Sequence, residues 1–409
     1  MWQELDASTG RPPDRSIAIT GMETMPLRGN PKGEDGNYTW GIVKLETDRG
    51  VHGIGETFRG DAPLDVAARM ADTVVGMNPL DTERVADRLE RTHYTASGGI
   101  GRAAIAAIET ACWDIAGKVL EVPVYELLGG KYRDTVQLYS DTETLAGESV
   151  GIDHETAYEP DEYAAAAETA LEMGFDAIKF DLDVATPGLD ADRAARRLDN
   201  AAIEHKVALV EAAREAVGPD VDLGMDCHWS YTVETAVRLG RALEPYDLAF
   251  LEDPVHPEKL DAQRSVREAI DIPVLTGENL TGREAFLDAL QAGILDIAAP
   301  DVSMCAGLGE LRRIASLCDA FAVPLAPHNL GSPVATVAGA HFAAATPNVT
   351  SMEFRGGDAP WWEDVVERTD GNAPIRSGGE LVVPEGPGLG IEIADAAADY
   401  VLPDGEFVF

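Results

Sequence analysis

The chain has 409 residues, 45% of them hydrophobic and 6% aromatic, and carries 72 Asp plus Glu against 32 Lys plus Arg for a formal charge of -40. That composition supports a large buried core and excludes a wholly disordered chain, and the length suits one large α/β barrel with a smaller second domain. No run of about 18 apolar residues is present, which excludes a transmembrane helix.

Residues 1–15 read as a polar extension without the basic start and apolar core of a secretory signal. A strand pattern follows at Ser16–Met25, then a Gly/Pro/Asn-rich loop over Pro26–Asn37, then strands at Tyr38–Glu46 and Gly50–Glu56 around the Thr47–Gly50 turn. Helices run from Leu64 to about Leu128; the clearest covers Gly101–Val119, with Ile105, Ile108, Cys112, Ile115 and Val119 at helical spacing. Strands first and helices after make this part an α+β unit. Gly99-Ile-Gly-Arg-Ala-Ala104 fits a dinucleotide-binding pattern, but it follows a helical segment rather than a strand, so no nicotinamide site is expected.

From about Val136 short apolar strands alternate with amphipathic helices. Strands are expected at Val136–Tyr139, Ala177–Phe180, Asp222–Met225, Ala249–Leu251, Val274–Leu275, Ile297–Ala298, Pro324–Ala326 and Thr350–Met352. Helices are expected between them at Glu155–Met173, Lys206–Val217, Val233–Leu243, Leu260–Ala269, Arg283–Ala292, Leu308–Phe321 and Val334–Ala345. Eight strands with seven intervening helices are the count of a modified TIM barrel, (β/α)7β. The reading is a barrel over 136–356 and an α+β capping domain from 16–135 plus 357–409, with the tail after Gly356 running as loops back to the cap.

In such a barrel the working residues sit at the C-terminal ends of the strands. Those ends carry Lys179 and Asp181, Asp226 and His228, Glu252, Glu278, Asp301, His328 and Glu353. From Asp226 onward the spacings are 26, 26, 23, 27 and 25 residues, each about one βα unit, so the side chains converge on one rim. Asp226, Glu252 and Glu278 form an acidic trio whose members repel one another unless a cation neutralises them, and a hard divalent ion such as Mg²⁺ does this with oxygen ligands. Taken singly, each acid is read equally well as a cap on the following helix. Asp301 can accept the ring N–H of His328 and so make it a general base. His228, two residues past Asp226, is expected to point the same way in a strand-like conformation and to act as a second acid or base; a metal ligand or a packed histidine is the plainer reading. Alternation puts Lys179, Asp181 and Asp183 on one face, with Lys179 set either to bind a substrate carboxylate or to pair with Asp181. Glu353 is read as pinning the substrate or, if protonated, donating to an enolate oxygen.

These residues resemble the enolase superfamily, in its mandelate racemase and muconate lactonizing enzyme branch. The resemblance rests on Ile108-Glu-Thr-Ala-Cys-Trp-Asp-Ile-Ala-Gly-Lys118, Leu127-Leu-Gly-Gly130, Leu251-Glu-Asp-Pro-Val255, Thr276-Gly-Glu-Asn279, Ala299-Pro-Asp301 and Pro387-Gly-Leu-Gly390. It implies a capping domain over a (β/α)7β barrel, with Mg²⁺ on Asp226, Glu252 and Glu278. Racemases of the branch usually carry Lys-x-Lys on the second strand, and here Asp181 holds the second position. Asp226-Cys-His228 is similar to sugar-acid dehydratases, and Lys179-Phe-Asp-Leu-Asp-Val184 with Asp226-Cys-His-Trp-Ser230 looks closest to haloarchaeal dehydratases of pentonates such as D-xylonate. The implied reaction is removal of the α-proton by His328, stabilisation of the enediolate by Mg²⁺, Lys179 and Glu353, and protonation of the leaving 3-hydroxyl by His228. The product would be a 2-keto-3-deoxy acid, and the two histidines could exchange roles. Asp181 and Asn279 are taken as substrate contacts, as are Asn37, Tyr38 and Arg59 in the cap loops Leu27–Tyr38 and Thr57–Asp61. The rival readings are a racemase or epimerase using His228 and His328 as opposed bases, and a non-catalytic metal-binding paralogue. The resemblance also implies a homo-oligomer with a small-molecule sugar acid as its partner.

The acidic residues are spread through helical segments rather than gathered in a tail, and only seven of the cations are lysines. An all-over acidic surface repels nucleic acid and anionic membranes, so neither is expected as a partner. Four scattered cysteines, Cys112, Cys227, Cys305 and Cys318, form no Cys-x-x-Cys pair and suit a reducing cytoplasm. Self-repulsion of this size is screened within about 3 Å at 1 M salt, which predicts a salt-requiring, halophilic protein. Raising KCl from about 0.2 to 2 M should therefore raise Tm by more than about 5 °C in a circular dichroism melt. A flat or falling Tm would contradict the surface-charge reading.

Overall fold

The computed structural model describes residues 16–28, 39–58, 60–96, 98–141, 157–187, 197–355, 361–371 and 373–402. The polar extension 1–15 lies outside them, as do Asn37, Tyr38 and Arg59. In the cap, β1 (Ile19–Arg28), β2 (Thr39–Thr47) and β3 (His52–Thr57) form an antiparallel sheet in that order. Four helices follow: α1 (Asp61–Val74), α2 (Thr82–Thr92), α3 (Gly99–Leu120) and α4 (Val124–Leu127). The long helix α3 lies directly on β3 because both sides of that contact are small. A Cβ placed on Gly53 or Gly55 would lie 2.2 Å from the Ala111 carbonyl oxygen or 2.0 Å from that of Ala107. The Gly-Ile-Gly of β3 is thus a packing requirement, and the dinucleotide-like glycines open α3 rather than follow a strand.

The second unit is a ring of parallel strands: β4 (Thr135–Asp141), β5 (Ala177–Asp181), β6 (Asp222–Asp226), β7 (Phe250–Glu252), β8 (Val274–Thr276), β9 (Ile297–Ala298) and β10 (Met352–Phe354). β10 pairs in parallel with β4, and between β9 and β10 the ring is carried by Leu325, which bridges Ala298 on one side and Val349 on the other. The strand expected at Pro324–Ala326 is therefore a single bridging residue, since Pro324 and Pro327 have no N–H to extend a ladder. Helices α5 (Pro160–Glu172), α6 (Asn200–Val217), α7 (Val233–Leu243), α8 (Leu260–Arg267), α9 (Arg283–Ala292), α10 (Leu308–Ala320) and α11 (Pro333–Ala345) lie between the strands. Cap residues set two boundaries that periodicity placed elsewhere. Glu159 and Glu162 form a reciprocal capping box that starts α5 at Pro160, and Asp199 accepts the Ala202 N–H and starts α6 at Asn200.

The tail is more than loops, which corrects the sequence reading. β11 (Val366–Arg368) pairs with β14 (Ile391–Ile393), while β12 (Arg376–Ser377) and β13 (Glu380–Val382) form a hairpin whose second strand runs antiparallel to β4 of the barrel. Beyond β14 the chain does reach the cap, where Val401 bridges Leu27 and the Leu402 N–H donates to Pro26. Among the described residues no helix is long and apolar enough to cross a membrane.

One buried carboxylate joins the cap to the barrel, and another joins the cap to the tail. Glu109 of α3 accepts the N–H groups of Leu308 and Gly309 at 2.9 and 3.0 Å, in the first turn of α10, where a helix favours negative charge. Asp114 of α3 accepts the N–H groups of Ile54 and Leu389 at 3.0 and 2.8 Å and pairs with Lys118 at 2.9 Å.

His341 in the middle of α11 is fully buried, with Nδ1 accepting the Tyr125 N–H and Nε2–H donating to the Leu389 carbonyl. Burial pushes it down to about 4. The unfolded chain protonates this histidine below its ordinary value of about 6.5, so its contribution to stability is full at pH 7 and lost as pH falls toward 4. The loss should be about 3 kcal/mol. Urea unfolding of the wild type and His341→Gln at pH 7 and pH 4 checks this: the variant is less stable at pH 7, and its pH dependence is shallower by about that amount.

Candidate active site

Strand ends, and the turns just past them, bring a cluster of ionisable side chains together at the C-terminal mouth of the ring. Ala177, Lys179 and Asp181 alternate along β5, and Ala177 packs with Tyr139, Phe250 and Leu275 in the barrel interior, so Lys179 also points inward. Its Nζ lies 2.6 Å from Glu353, 2.9 Å from Glu252, 3.1 Å from Asp226 and 3.5 Å from Asp141. Burial disfavours the ammonium, but these four carboxylates outweigh it and keep Lys179 well above its ordinary value. The ion pairs of Lys179 thus run across the barrel.

Asp226 and Glu252 end β6 and β7, Glu278 lies just past β8, and one oxygen of each falls within 4.8 Å of the others. Burial and the neighbouring Asp226 push Glu252 well above the usual carboxylate range, against the pull of Lys179. Burial also acts on Asp226, but His228, Lys179 and the His228 N–H outweigh it and hold this carboxyl low. One lysine does not neutralise such a group. The donor set is all carboxylate oxygen, and Glu252 Oε1 is buried without a hydrogen-bond partner, although an oxygen removed from water needs a donor or a cation. Asp226, Glu252 and Glu278 therefore fit a hard divalent ion such as Mg²⁺.

Two histidines flank this trio. His328 donates its Nδ1–H to Asp301 at 2.6 Å, while its Nε2 lies 3.1 Å from Glu278 and 3.7 Å from Glu353. Burial lowers His328, but Glu353, Glu278 and Asp301 overcome this and push it up to about 9. His228 sits at the other end, with Nδ1 3.2 Å from Asp183 and Nε2 3.6 Å from Asp226. Its carboxylate neighbours Asp226, Asp181 and Asp183 likewise raise it against burial. The reason it points there differs from the expected strand-like alternation. β6 ends at Asp226, and His228 takes a φ of +39°, with its N–H bonded to Asp226 Oδ1 at 2.9 Å. A tight turn, not a pleat, returns the ring to the trio.

Asp181 is buried near Asp183 and His228, and burial pushes it up to about 6. Asn279 is exposed and donates to Glu278 at 2.7 Å, so in this structure it orients an acid of the trio. Glu353 accepts the Asn329 N–H on Oε2 at 3.0 Å, while Oε1 lies 2.6 Å from the Lys179 ammonium without a well-directed hydrogen bond, and burial pushes the carboxyl up against the pull of Lys179. Asn37, Tyr38 and Arg59 lie outside the described residues. Sequence reasoning missed Asp141, which pairs with both Lys179 and Arg355. It ends β4 by the same rule as the others, and a strand drawn only to Tyr139 stops two residues short of it.

A barrel whose strand ends place an inward lysine, three acids and an Asp–His pair around one mouth defines the enolase-like class, and the family models agree. Residues 162–397 match the enolase C-terminal domain-like family, and residues 33–129 match the mandelate racemase / muconate lactonizing enzyme N-terminal domain. The chain belongs to the enolase superfamily. It is 39% identical to the D-xylonate dehydratase of Haloferax volcanii, over all of this chain and 94% of that one. It is 34% identical to the D-galactonate dehydratase of Ralstonia nicotianae, over 87% and 89% of the two chains. A mandelate racemase/muconate lactonizing enzyme-like protein from Rubrobacter xylanophilus superimposes with a TM-score of 0.86 at 35% identity, covering 95% of this chain and 98% of that one.

Mg²⁺ at 100 times its Kd should stabilise the fold by about 2.7 kcal/mol, seen as a rise in Tm in molar KCl. The Asp226→Asn, Glu252→Gln double variant should show no such rise and no heat of binding in calorimetric titration. An undiminished response in that variant would place the ion elsewhere.

Proposed function

We propose that the protein is a Mg²⁺-dependent sugar-acid dehydratase that converts an aldonate to a 2-keto-3-deoxy acid, with D-xylonate the leading substrate and D-gluconate next. One observation carries this reading: two histidines approach the acidic trio from opposite ends, each paired with its own aspartate. A dehydration needs a base for the C2 proton and an acid for the C3 oxygen, and these are two separately placed proton-transfer groups.

A Mg²⁺ ion held by Asp226, Glu252 and Glu278 would supply the positive charge that binds the substrate carboxylate and offsets the charge of the enediolate. Glu278 is among the carboxylates that hold His328 protonated, so a divalent cation on the trio would offset that pull and favour the neutral imidazole. That imidazole takes the C2 proton on Nε2, because Asp301 occupies Nδ1. Lys179, kept protonated by its carboxylate neighbours, offers a second cation to the enediolate oxygens. His228 gives its proton to the C3 oxygen as the C3–O bond breaks, so that oxygen leaves as water. The resulting enol takes up a proton at C3 and gives up the proton of its C2 hydroxyl, becoming the 2-keto-3-deoxy acid. This reading is supported by the similarity to D-xylonate and D-galactonate dehydratases, and it takes the protein to act in the cytoplasm on a small-molecule acid.

Purified protein in molar KCl with Mg²⁺ and a panel of aldonates and aldarates should yield keto products that react with semicarbazide, and EDTA should abolish them. His328→Asn should lower kcat by roughly 10²–10⁴-fold and stop exchange of the C2 proton with D₂O. His228→Asn should lose dehydration while keeping that exchange. No keto product from any acid, with the protein folded and Mg²⁺ bound, overturns the dehydratase reading, and exchange without water loss would mean a racemase or epimerase.

A further inference from the structure

The loop that carries His328 is held largely from outside the barrel. His328 pairs with Asp301, and the Asn329 N–H donates to Glu353. The next carbonyls, of Leu330 and Gly331, accept the indole N–H groups of Trp40 in β2 and Trp362 in the tail, at 3.2 and 3.1 Å. Ser332, which caps α11, gives both its donors to one carboxylate of the cap. Glu56 of β3 accepts the Ser332 N–H on Oε1 at 3.0 Å, and on Oε2 it accepts the Ser332 hydroxyl at 2.5 Å and the Ala335 N–H at 2.9 Å. Glu56 is 4% exposed. Two residues along the same strand end, Phe58 places its ring 6.1 Å from that of His328.

A glutamate is expensive to bury, and this one is not needed to cap α11, because Ser332 already does so through its hydroxyl and the Val334 N–H. What Glu56 adds is a fixed distance between β3 and the backbone four residues beyond the histidine. We propose that Glu56 is a positioning residue for His328. It clamps the His328 loop to the cap, so that the imidazole keeps its place between Asp301 and the acidic trio. Glu109 supplies the natural comparison: it is equally a buried cap-domain glutamate on a barrel helix N-terminus, but it holds α10 and does not touch the His328 loop.

The first test is independent of any reaction. The proton in the 2.6 Å bond between His328 Nδ1 and Asp301 should resonate downfield of the amide region in a ¹H,¹⁵N spectrum of histidine-labelled protein. Glu56→Gln keeps the shape but faces the Ala335 N–H with a donor or loses one acceptor, and it should shift or broaden that resonance. Ser332→Ala, which removes the hydroxyl partner, should do the same and serves if Glu56→Gln does not fold. Glu109→Gln, which loosens α10 on the Asp301 side, should lower Tm and shift the resonance less than Glu56→Gln does. A resonance unmoved in both Glu56→Gln and Ser332→Ala, or moved equally in Glu109→Gln, overturns the inference.

The second test rests on the dehydratase reading. With Mg²⁺ still bound one to one and the assay run below Tm, Glu56→Gln should lower kcat about 10–100-fold and change KM by less than about threefold, as misplacement of a base rather than lost binding requires. If the wild type turns over no acid, the dehydratase reading fails while the resonance still decides the role of Glu56. If the wild type is active and Glu56→Gln has wild-type kcat, the positioning role fails alone.

Discussion

Everything at the mouth of this barrel answers to the repulsion among carboxylates that have been taken out of water. Asp141, Asp226, Glu252 and Glu353 all lie within 3.5 Å of the Lys179 ammonium, and Glu278 adds a further acid beside them. A buried carboxylate without a partner is costly, and several together raise that cost. The arrangement therefore calls for added positive charge, which a divalent cation and the two histidines would bring. It also suits an anionic substrate in a protein of formal charge -40, since the cations of the site are held where the carboxylates can keep them charged.

The two Asp–His pairs are not equivalent. His328 is 4% exposed in its side chain and lies in a loop pinned by Asp301, Glu353, Trp40 and Trp362. His228 is 32% exposed, sits in a left-handed turn and shares its Asp183 with the hydroxyl of Ser230. A buried, rigidly held imidazole suits abstraction of a weakly acidic carbon proton, where placement governs the rate. A half-open one suits delivery of a proton to an oxygen that leaves as water. The cap supports the mouth through two buried acids, because Glu56 and Glu109 reach into the barrel to hold the helices that follow the His328 and Asp301 loops.

Where sequence reading and structure part, the causes are local. Leu325 carries the seventh strand position alone because Pro324 and Pro327 stand on either side of Leu325 and Ala326. The helices α5 and α6 begin where acidic caps end the preceding loops, which a count of apolar residues does not register. Asp141 is not legible from the apolar pattern, because the last two residues of β4, Ser140 and Asp141, are polar yet buried. The hairpin of β12 and β13 escaped because two-residue and three-residue strands carry no periodicity to read.

The amino-acid sequence by itself determined the barrel, the order of its strands and, Asp141 aside, the ionisable residues at or just past their ends, because a βα unit has a nearly constant length and its strand ends must face one rim. It also determined that Asp226, Glu252 and Glu278 belong together, since acids at that period have no other common place to meet. Tertiary structure alone decided how Lys179 is shared among four carboxylates, how His228 turns back on Asp226, and how a glutamate 276 residues before Ser332 holds the His328 loop. Those are contacts between elements far apart in the chain, fixed by distances of a few ångströms across packed surfaces. Spacing along a sequence reports which face a residue lies on, and it does not report which side chain stands opposite.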